Sequence, residues 1–143
     1  MDLALDCAEA AALRGEVPVG AVIISGKGVV IAEDGNRVNE LRDPTGHAEI
    51  IVIRKACSIL ASERLPGSDL YVTLEPCAMC AAAISFARIR RLYFAADDTK
   101  GGAVENGTRF YSSPSCHHTP EVYSGIGDQR ARKLLRDFFR SRR

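Results

Sequence analysis

The stretch Leu70-Tyr71-Val72-Thr73-Leu74-Glu75-Pro76-Cys77-Ala78-Met79-Cys80 decides the fold of this 143-residue chain. Its first five residues are a β-branched and aromatic run of strand composition. Pro76 then opens a helix that runs to about Phe86, since proline is accepted at the first helical position. A second strand follows at Arg91-Leu92-Tyr93-Phe94-Ala95-Ala96. Strands alternating with helices predict an α/β sandwich.

Working outward, residues 2 to 14 are rich in Ala and Leu and predict a helix ended by Gly15. Val17 to Ile24 and Val29 to Ala32 flank Gly26-Lys27-Gly28, which is a β-hairpin signal. Both runs are apolar on successive residues, so their strands are expected to be covered on both faces. From Gly46 to Ser62, Ile50, Ile53, Cys57 and Leu60 fall at helical spacing. A last helix starts near Asp128, with Leu134, Leu135, Phe138 and Phe139 as its core stripe. Residues 97 to 119 read as an ordered loop with little regular structure, and a loop that long inside a compact domain is usually functional. No repeat, low-complexity tract or linker interrupts the chain, so residues 1–143 are expected to form one domain.

Composition sets bounds. A chain with 46% hydrophobic and 26% charged residues is globular. Net charge is only +1, which allows a local basic patch but not a globally basic polyanion binder. The acidic N-terminus does not resemble a secretory signal, and no apolar stretch approaches the roughly 20 residues that span a bilayer. A cytoplasmic chain is expected, with its five cysteines reduced, buried or metal-bound.

Two short segments carry the chemistry: His47-Ala48-Glu49 and Pro76-Cys77-Ala78-Met79-Cys80. Each follows a turn and opens a helix. Cys77 and Cys80 are three residues apart, so their sulfurs share one helix face and can grip one ion. Helix N-termini favour thiolate over thiol. With neutral His47 the set is one nitrogen and two thiolates. Three protein ligands leave a tetrahedral zinc one position for water, which is how a catalytic site is arranged. Glu49 stands near the metal without being needed as a ligand, and a carboxylate there can shuttle a proton from water to a ring nitrogen and on to a leaving amine. The competing arrangement is a closed, structural zinc site with Cys116, His117 or His118 as a fourth ligand.

At these residues the chain resembles the cytidine deaminase superfamily, whose signature is His-x-Glu followed by Pro-Cys-x-x-Cys. It is similar, along nearly its whole length, to the branch of bacterial tRNA-specific adenosine deaminases. The similarity includes Glu16-Val17-Pro18-Val19-Gly20-Ala21-Val22, Gly35-Asn36-Arg37, Tyr71-Val72-Thr73-Leu74-Glu75-Pro76-Cys77 and the ending Phe138-Phe139-Arg140-Ser141-Arg142-Arg143. The resemblance implies a three-layer α-β-α sandwich around a mixed five-stranded sheet. It implies one zinc per chain on His47, Cys77 and Cys80, with Glu49 as proton shuttle. The implied substrate is the wobble adenosine of a tRNA anticodon stem-loop, converted to inosine. Asn36 matches the residue that contacts the flipped nucleoside, Ala48 is a second implied substrate-binding position, and the implied assembly is a homodimer. Gly46 stands where Ala more often precedes the metal histidine, and Met1 reads as a shortened start. His117 and His118 fall in the loop that contacts RNA in relatives.

From Arg130 onward there are seven basic residues against one acid, Asp137. Such a face is often only solvated. Beside a base deaminase it predicts phosphate contacts, above all from Arg140, Arg142 and Arg143. Two other functions remain open at this point. One is a deaminase of free guanine, cytosine or cytidine, which has no use for the basic tail. The other is a zinc-stabilised RNA-binding protein, which has no use for Glu49.

Overall fold

A computed structural model describes all residues, Met1–Arg143. Five strands form one sheet: β1 (Gly20–Ile24), β2 (Val30–Gly35), β3 (Asp69–Leu74), β4 (Arg91–Ala96) and β5 (Glu121–Ser124), in the spatial order β2-β1-β3-β4-β5. β1 runs antiparallel to both β2 and β3, whereas β3, β4 and β5 are parallel. The helices are α1 (Asp2–Leu13), the short α2 (Val38–Leu41), α3 (Ala48–Leu60), α4 (Ala78–Phe86) and α5 (Asp128–Arg140). One 3₁₀ turn, Phe110–Ser112, lies between β4 and β5.

The sheet is sandwiched as its strand composition requires. Ala21, Ile23, Leu70, Val72, Leu92 and Phe94 point to one face, where they pack with Ala48, Val52 and Ala56 of α3 and Ala81 and Ile84 of α4. The alternate residues face α1 and α5, with Leu5, Ala95 and Ala131 forming a smaller cluster. Gly20 and Gly35 pair across β1 and β2, and α1 lies directly on them. A Cβ on Gly20 would sit 2.0 Å from the Ala4 carbonyl oxygen, and one on Gly35 2.6 Å from that of Cys7. The alanines of α1 and these glycines together allow the helix to approach the sheet backbone.

Several expected details differ. β2 is an edge strand whose first residue is exposed, so the expected cover on both faces, by α1 and α3, holds only toward its C-terminal end, where Ala32, Asp34 and Gly35 are buried. The deep face of α3 is Ala48, Val52 and Ala56, one turn apart, and Leu60 is exposed. Small residues mark the close-packed side of this helix, and the larger apolar ones lie toward its flank. On α5 only Ala131 is fully buried; Leu134, Leu135 and Phe138 are half-buried and Phe139 is exposed. Pro76 precedes the N-cap of α4 and is not in its first turn. The fifth strand was invisible locally, because Glu121-Val122-Tyr123-Ser124 is short, polar and mostly exposed. Its pairing with β4 defines it.

Candidate active site

The two chemical segments meet at the C-terminal end of β3, the edge of a parallel sheet where ligands characteristically bind. His47 is the N-cap residue of α3 and Cys77 the N-cap residue of α4, both in extended backbone conformation. Cys80 follows one turn into α4 and is fully buried. The Sγ atoms of Cys77 and Cys80 each lie 3.6 Å from His47 Nδ1. Zinc bonds of about 2.3 Å to sulfur and 2.0–2.1 Å to nitrogen, at tetrahedral angles, separate the two donors by about 3.6 Å. The trio therefore fits zinc, and it fits through Nδ1. Cys116, His117 and His118 are not among the clustered ligand atoms, so no fourth protein ligand closes the site.

Charge is tuned around this trio. The hydrogen bond from Cys80 lowers the Cys77 thiol to about 4, with His47 adding to the effect. Cys80 is pushed up, first as the partner in that bond and then by burial. His47 is raised, chiefly by its hydrogen bond with Cys77. Metal binding must displace the protons that the trio still carries. Glu49 is almost fully buried, and burial raises its carboxyl to about 7. A carboxyl poised near neutrality is suited to taking and returning a proton.

His47, Cys77 and Glu49 open onto a cavity of about 450 Å³, a volume in the range of small-molecule sites. Asn36 lines it too, and its side-chain oxygen accepts the backbone N–H of Ala48 at 2.8 Å. This leaves the amide NH₂ of Asn36 for the cavity. Ala48 is itself fully buried behind Asn36 and does not line the cavity.

Two buried carboxylates of the cavity wall had no role in the sequence reading. Glu16, buried between α1 and β1, accepts the backbone N–H groups of Asn39 and Glu40 and so holds α2 at one side of the mouth. Glu75, buried just before Pro76, accepts four backbone N–H groups and the Asn106 side chain, holding residues 98–106 at the other side. Burial acts to raise the Glu75 carboxyl, but these donors outweigh it and lower it. The available signal was an acidic residue fused to an apolar strand. The 97–119 loop has little regular structure, as expected, and its Asp98 and Gly101 line the cavity. His118 is tied to the Ile89 carbonyl oxygen through Nε2 at 2.7 Å, whereas His117 is exposed.

The basic tail separates into paired and unpaired residues. Arg130 bridges to Asp6 and Glu9 on α1, Arg132 to Asp97 and Asp128, and Lys133 to Asp137. Arg142 lies over the Phe138 ring at 4.1 Å and donates to the Gly15 carbonyl oxygen at 3.3 Å. Arg136, Arg140 and Arg143 form no ion pair. Because Gly15 adjoins Glu16 of the cavity wall, the end of the chain reaches the mouth of the site.

Residues 1–96 match the cytidine and deoxycytidylate deaminase zinc-binding region, which sets the class of protein as a zinc-dependent deaminase. The cofactor is accordingly one zinc ion per chain, and His47, Cys77 and Cys80 are the residues that fit it. Whole-chain likeness narrows the class. A tRNA-specific adenosine deaminase of Agrobacterium fabrum is 63% identical over 143 residues, spanning 100% of this chain and 93% of that protein. The chain belongs to the family of tRNA-specific adenosine deaminases. A solved structure from work on A-to-I editing by tRNA:A34 deaminases at the wobble position superposes with a TM-score of 0.93 at 63% identity, covering 94% of this chain and 97% of that one. A guanine deaminase of Bacillus subtilis is more distant, with a TM-score of 0.66 at 36% identity over 85% of this chain and 80% of that one.

Proposed function

We propose that this chain, acting as one deaminase domain, hydrolyses the wobble adenosine of a tRNA anticodon stem-loop to inosine. The observation that carries the polynucleotide part of this reading is the approach of the arginine-rich end of α5 to Gly15, beside the cavity mouth. A free base needs no such surface, whereas a tRNA brings phosphates that require cations. The cytoplasmic location expected from the sequence fits a tRNA substrate, and no helix is long and apolar enough to cross a membrane.

The adenine enters the cavity flipped out of its stack. Asn36, its oxygen committed to Ala48, offers its NH₂ to the nucleoside. Zinc bound by His47, Cys77 and Cys80 supplies the positive charge that makes water a nucleophile at neutral pH. Glu49 accepts a proton from the attacking water and delivers it to the ring nitrogen beside the carbon under attack. It then carries a second proton to the exocyclic amine, which leaves as ammonia. The carbon keeps the water oxygen as a carbonyl, giving inosine. Burial of Glu49 keeps its proton from exchanging with bulk water.

A homodimer is proposed from the outer flank of α3 and α4. Phe86 is 67% exposed there and lines a shallow cleft with Ile50, Ile53 and Ala83. A second copy of the chain would cover this apolar area. Phe86→Glu is expected to give a monomer in sedimentation analysis.

The deciding assay compares inosine formation on an anticodon stem-loop with ammonia release from guanine, cytosine, cytidine and adenosine. Turnover of the stem-loop alone is expected. Turnover of a free base without the stem-loop would replace this reading with a free-base deaminase.

A further inference from the structure

We propose that Glu75 is a positioning residue for this reaction: its carboxylate fastens the rim loop 98–106 to the segment carrying Cys77, and so fixes the cavity wall against which the substrate base is held. The inference rests on the deaminase reading above and adds a residue to it.

Glu75 is 2% exposed and bonded to no cation. Its Oε1 accepts the N–H groups of Val104, Glu105 and Asn106 at 3.1, 2.8 and 3.0 Å. Its Oε2 accepts the Asp98 N–H at 2.8 Å and the Asn106 side-chain NH₂ at 2.7 Å. Five donors on one carboxylate exceed its roughly four lone-pair sites, so the group is saturated. The next residue adds one more tie, because the Pro76 carbonyl oxygen accepts the Ala103 N–H at 2.9 Å. Cys77 follows directly. Metal-ligand segment and rim loop are therefore fastened at a single point.

Packing alone does not fix the rim. Gly102, Ala103 and Val104 are buried, but Asp98 is only half-buried and residues 99–101 are exposed. Asp98 and Gly101 nonetheless line the cavity, as does Glu75 itself. The rim is also closed tightly over the carboxylate. A Cβ on Gly102 would lie 2.5 Å from both Glu75 Oε2 and the Asp98 carbonyl oxygen. Burying an anion costs several kcal/mol unless donors surround it, so this arrangement is an expensive way merely to attach a loop. What it provides is direction: Oε1 gathers the backbone of residues 104–106, and Oε2 alone reaches across to Asp98 at the cavity end.

The two oxygens make a specific test possible. In Glu75→Gln the amide oxygen can retain the three N–H groups at Oε1, leaving its NH₂ facing the Asp98 N–H and the Asn106 NH₂. Donor then meets donor, and the cavity end of the loop is released. The experiment uses the zinc-loaded full-length protein with an adenosine-bearing anticodon stem-loop. It measures KM, kcat per bound zinc, and amide hydrogen exchange over residues 97–107. We expect unchanged zinc content and faster exchange at Asp98. KM should rise by about tenfold, the weight of one hydrogen bond to a charged group, with kcat per zinc within about threefold. A purely structural role would lower the amount of active enzyme and leave KM unmoved, and that pattern overturns the proposal. Asn106→Ala removes one donor from a half-buried position and should raise KM by a smaller factor. If Glu75→Gln fails to fold, an unchanged KM in Asn106→Ala overturns the proposal. Wild-type protein that forms no inosine would instead defeat the proposed function, and hydrogen exchange would then decide the fastening of the loop by itself.

Discussion

The side-chain oxygen of Asn36 accepts the backbone N–H of Ala48 at 2.8 Å, which joins the end of β2 to the first turn of the helix that presents His47 and Glu49. One amide thus serves two partners: its oxygen holds α3, and its NH₂ faces the cavity. The two duties separate by mutation. Asn36→Asp keeps an oxygen for Ala48 and should fold with nearly wild-type stability, while losing the donor to the nucleoside and raising KM. Asn36→Ala should lose both, with a stability cost of about 1–3 kcal/mol for the orphaned buried N–H. Thermal melts and KM for the two variants check this. An Asn36→Asp protein with unchanged KM removes Asn36 from substrate contact.

Glu49 and Cys80 are both buried at the site, yet their loss should have opposite signatures. Glu49→Gln is expected to retain one zinc per chain and to lose about 10²–10⁴-fold in turnover, the usual weight of general acid–base catalysis. Cys80→Ala removes a metal ligand and should lose the zinc, and with it activity. Metal analysis of both purified proteins, set beside inosine formation, distinguishes the roles. Glu49→Gln protein that sheds its zinc would make Glu49 a support of the metal instead of a proton carrier.

Much of this was legible because two local signals coincide with tertiary ones. The spacing of Cys77 and Cys80 is a property of one helix turn, and His47 joins them because both helices begin at the same sheet edge. Periodicity failed where packing is against small residues. On α3 the pattern Ile50, Ile53, Cys57, Leu60 marked the flank of the buried face: Ile50 is buried and Ile53 and Cys57 pack against the core, but Ala48, Val52 and Ala56 give the close contact and Leu60 is exposed. β5 was not legible because its four residues become a strand only by pairing with β4. Glu16 and Glu75 were passed over for a related reason. A buried carboxylate is justified by its donors, and those lie 23–24 and 23–31 residues away in sequence.

Acid stability should depend on Asp34. Its carboxylate, 6% exposed, accepts from Arg37 Nε at 2.9 Å and from Lys55 Nζ at 2.5 Å, and it caps Gly35 N–H at 2.8 Å. Burial acts to raise its pKa, but the hydrogen bonds from Arg37 and Lys55 outweigh it and lower it. A folded pKa below the unfolded value near 3.8 stabilises the protein above that pH, and the contribution is lost as pH falls through the depressed folded value. Asp34→Asn should therefore cost about 1–3 kcal/mol at pH 7. Its stability curve should begin to approach the wild type below pH ~4 and meet it only below the depressed folded value. Denaturant titrations at several pH values test this, and a gap that stays constant into acid would refute it.

The arginines at the end of α5 separate docking from chemistry. Arg130 ties α5 to α1, Arg132 ties it to Asp97 just past β4, and Lys133 pairs with Asp137 within the helix, so the charge of all three is partly spent inside the chain. Arg140 and Arg143 form no ion pair and lie beyond the half-buried Leu134, Leu135 and Phe138. Arg142 rests on Phe138 and reaches Gly15, so replacing it also disturbs local packing. Neutralising Arg140, Arg142 and Arg143 together should weaken tRNA binding while single-turnover rate at saturating RNA and zinc content stay close to wild type. The pair Arg140→Gln with Arg143→Gln isolates charge from packing. Each lost phosphate contact should flatten the slope of log affinity against log salt by roughly one unit, alike for all RNA sequences. A base pocket responds instead to the identity of the flipped nucleotide. Binding of the stem-loop across a salt series therefore reads the tail directly. If the double and triple variants keep both the affinity and the slope of the wild type, the tail is a solvated face and the free-base deaminase gains ground.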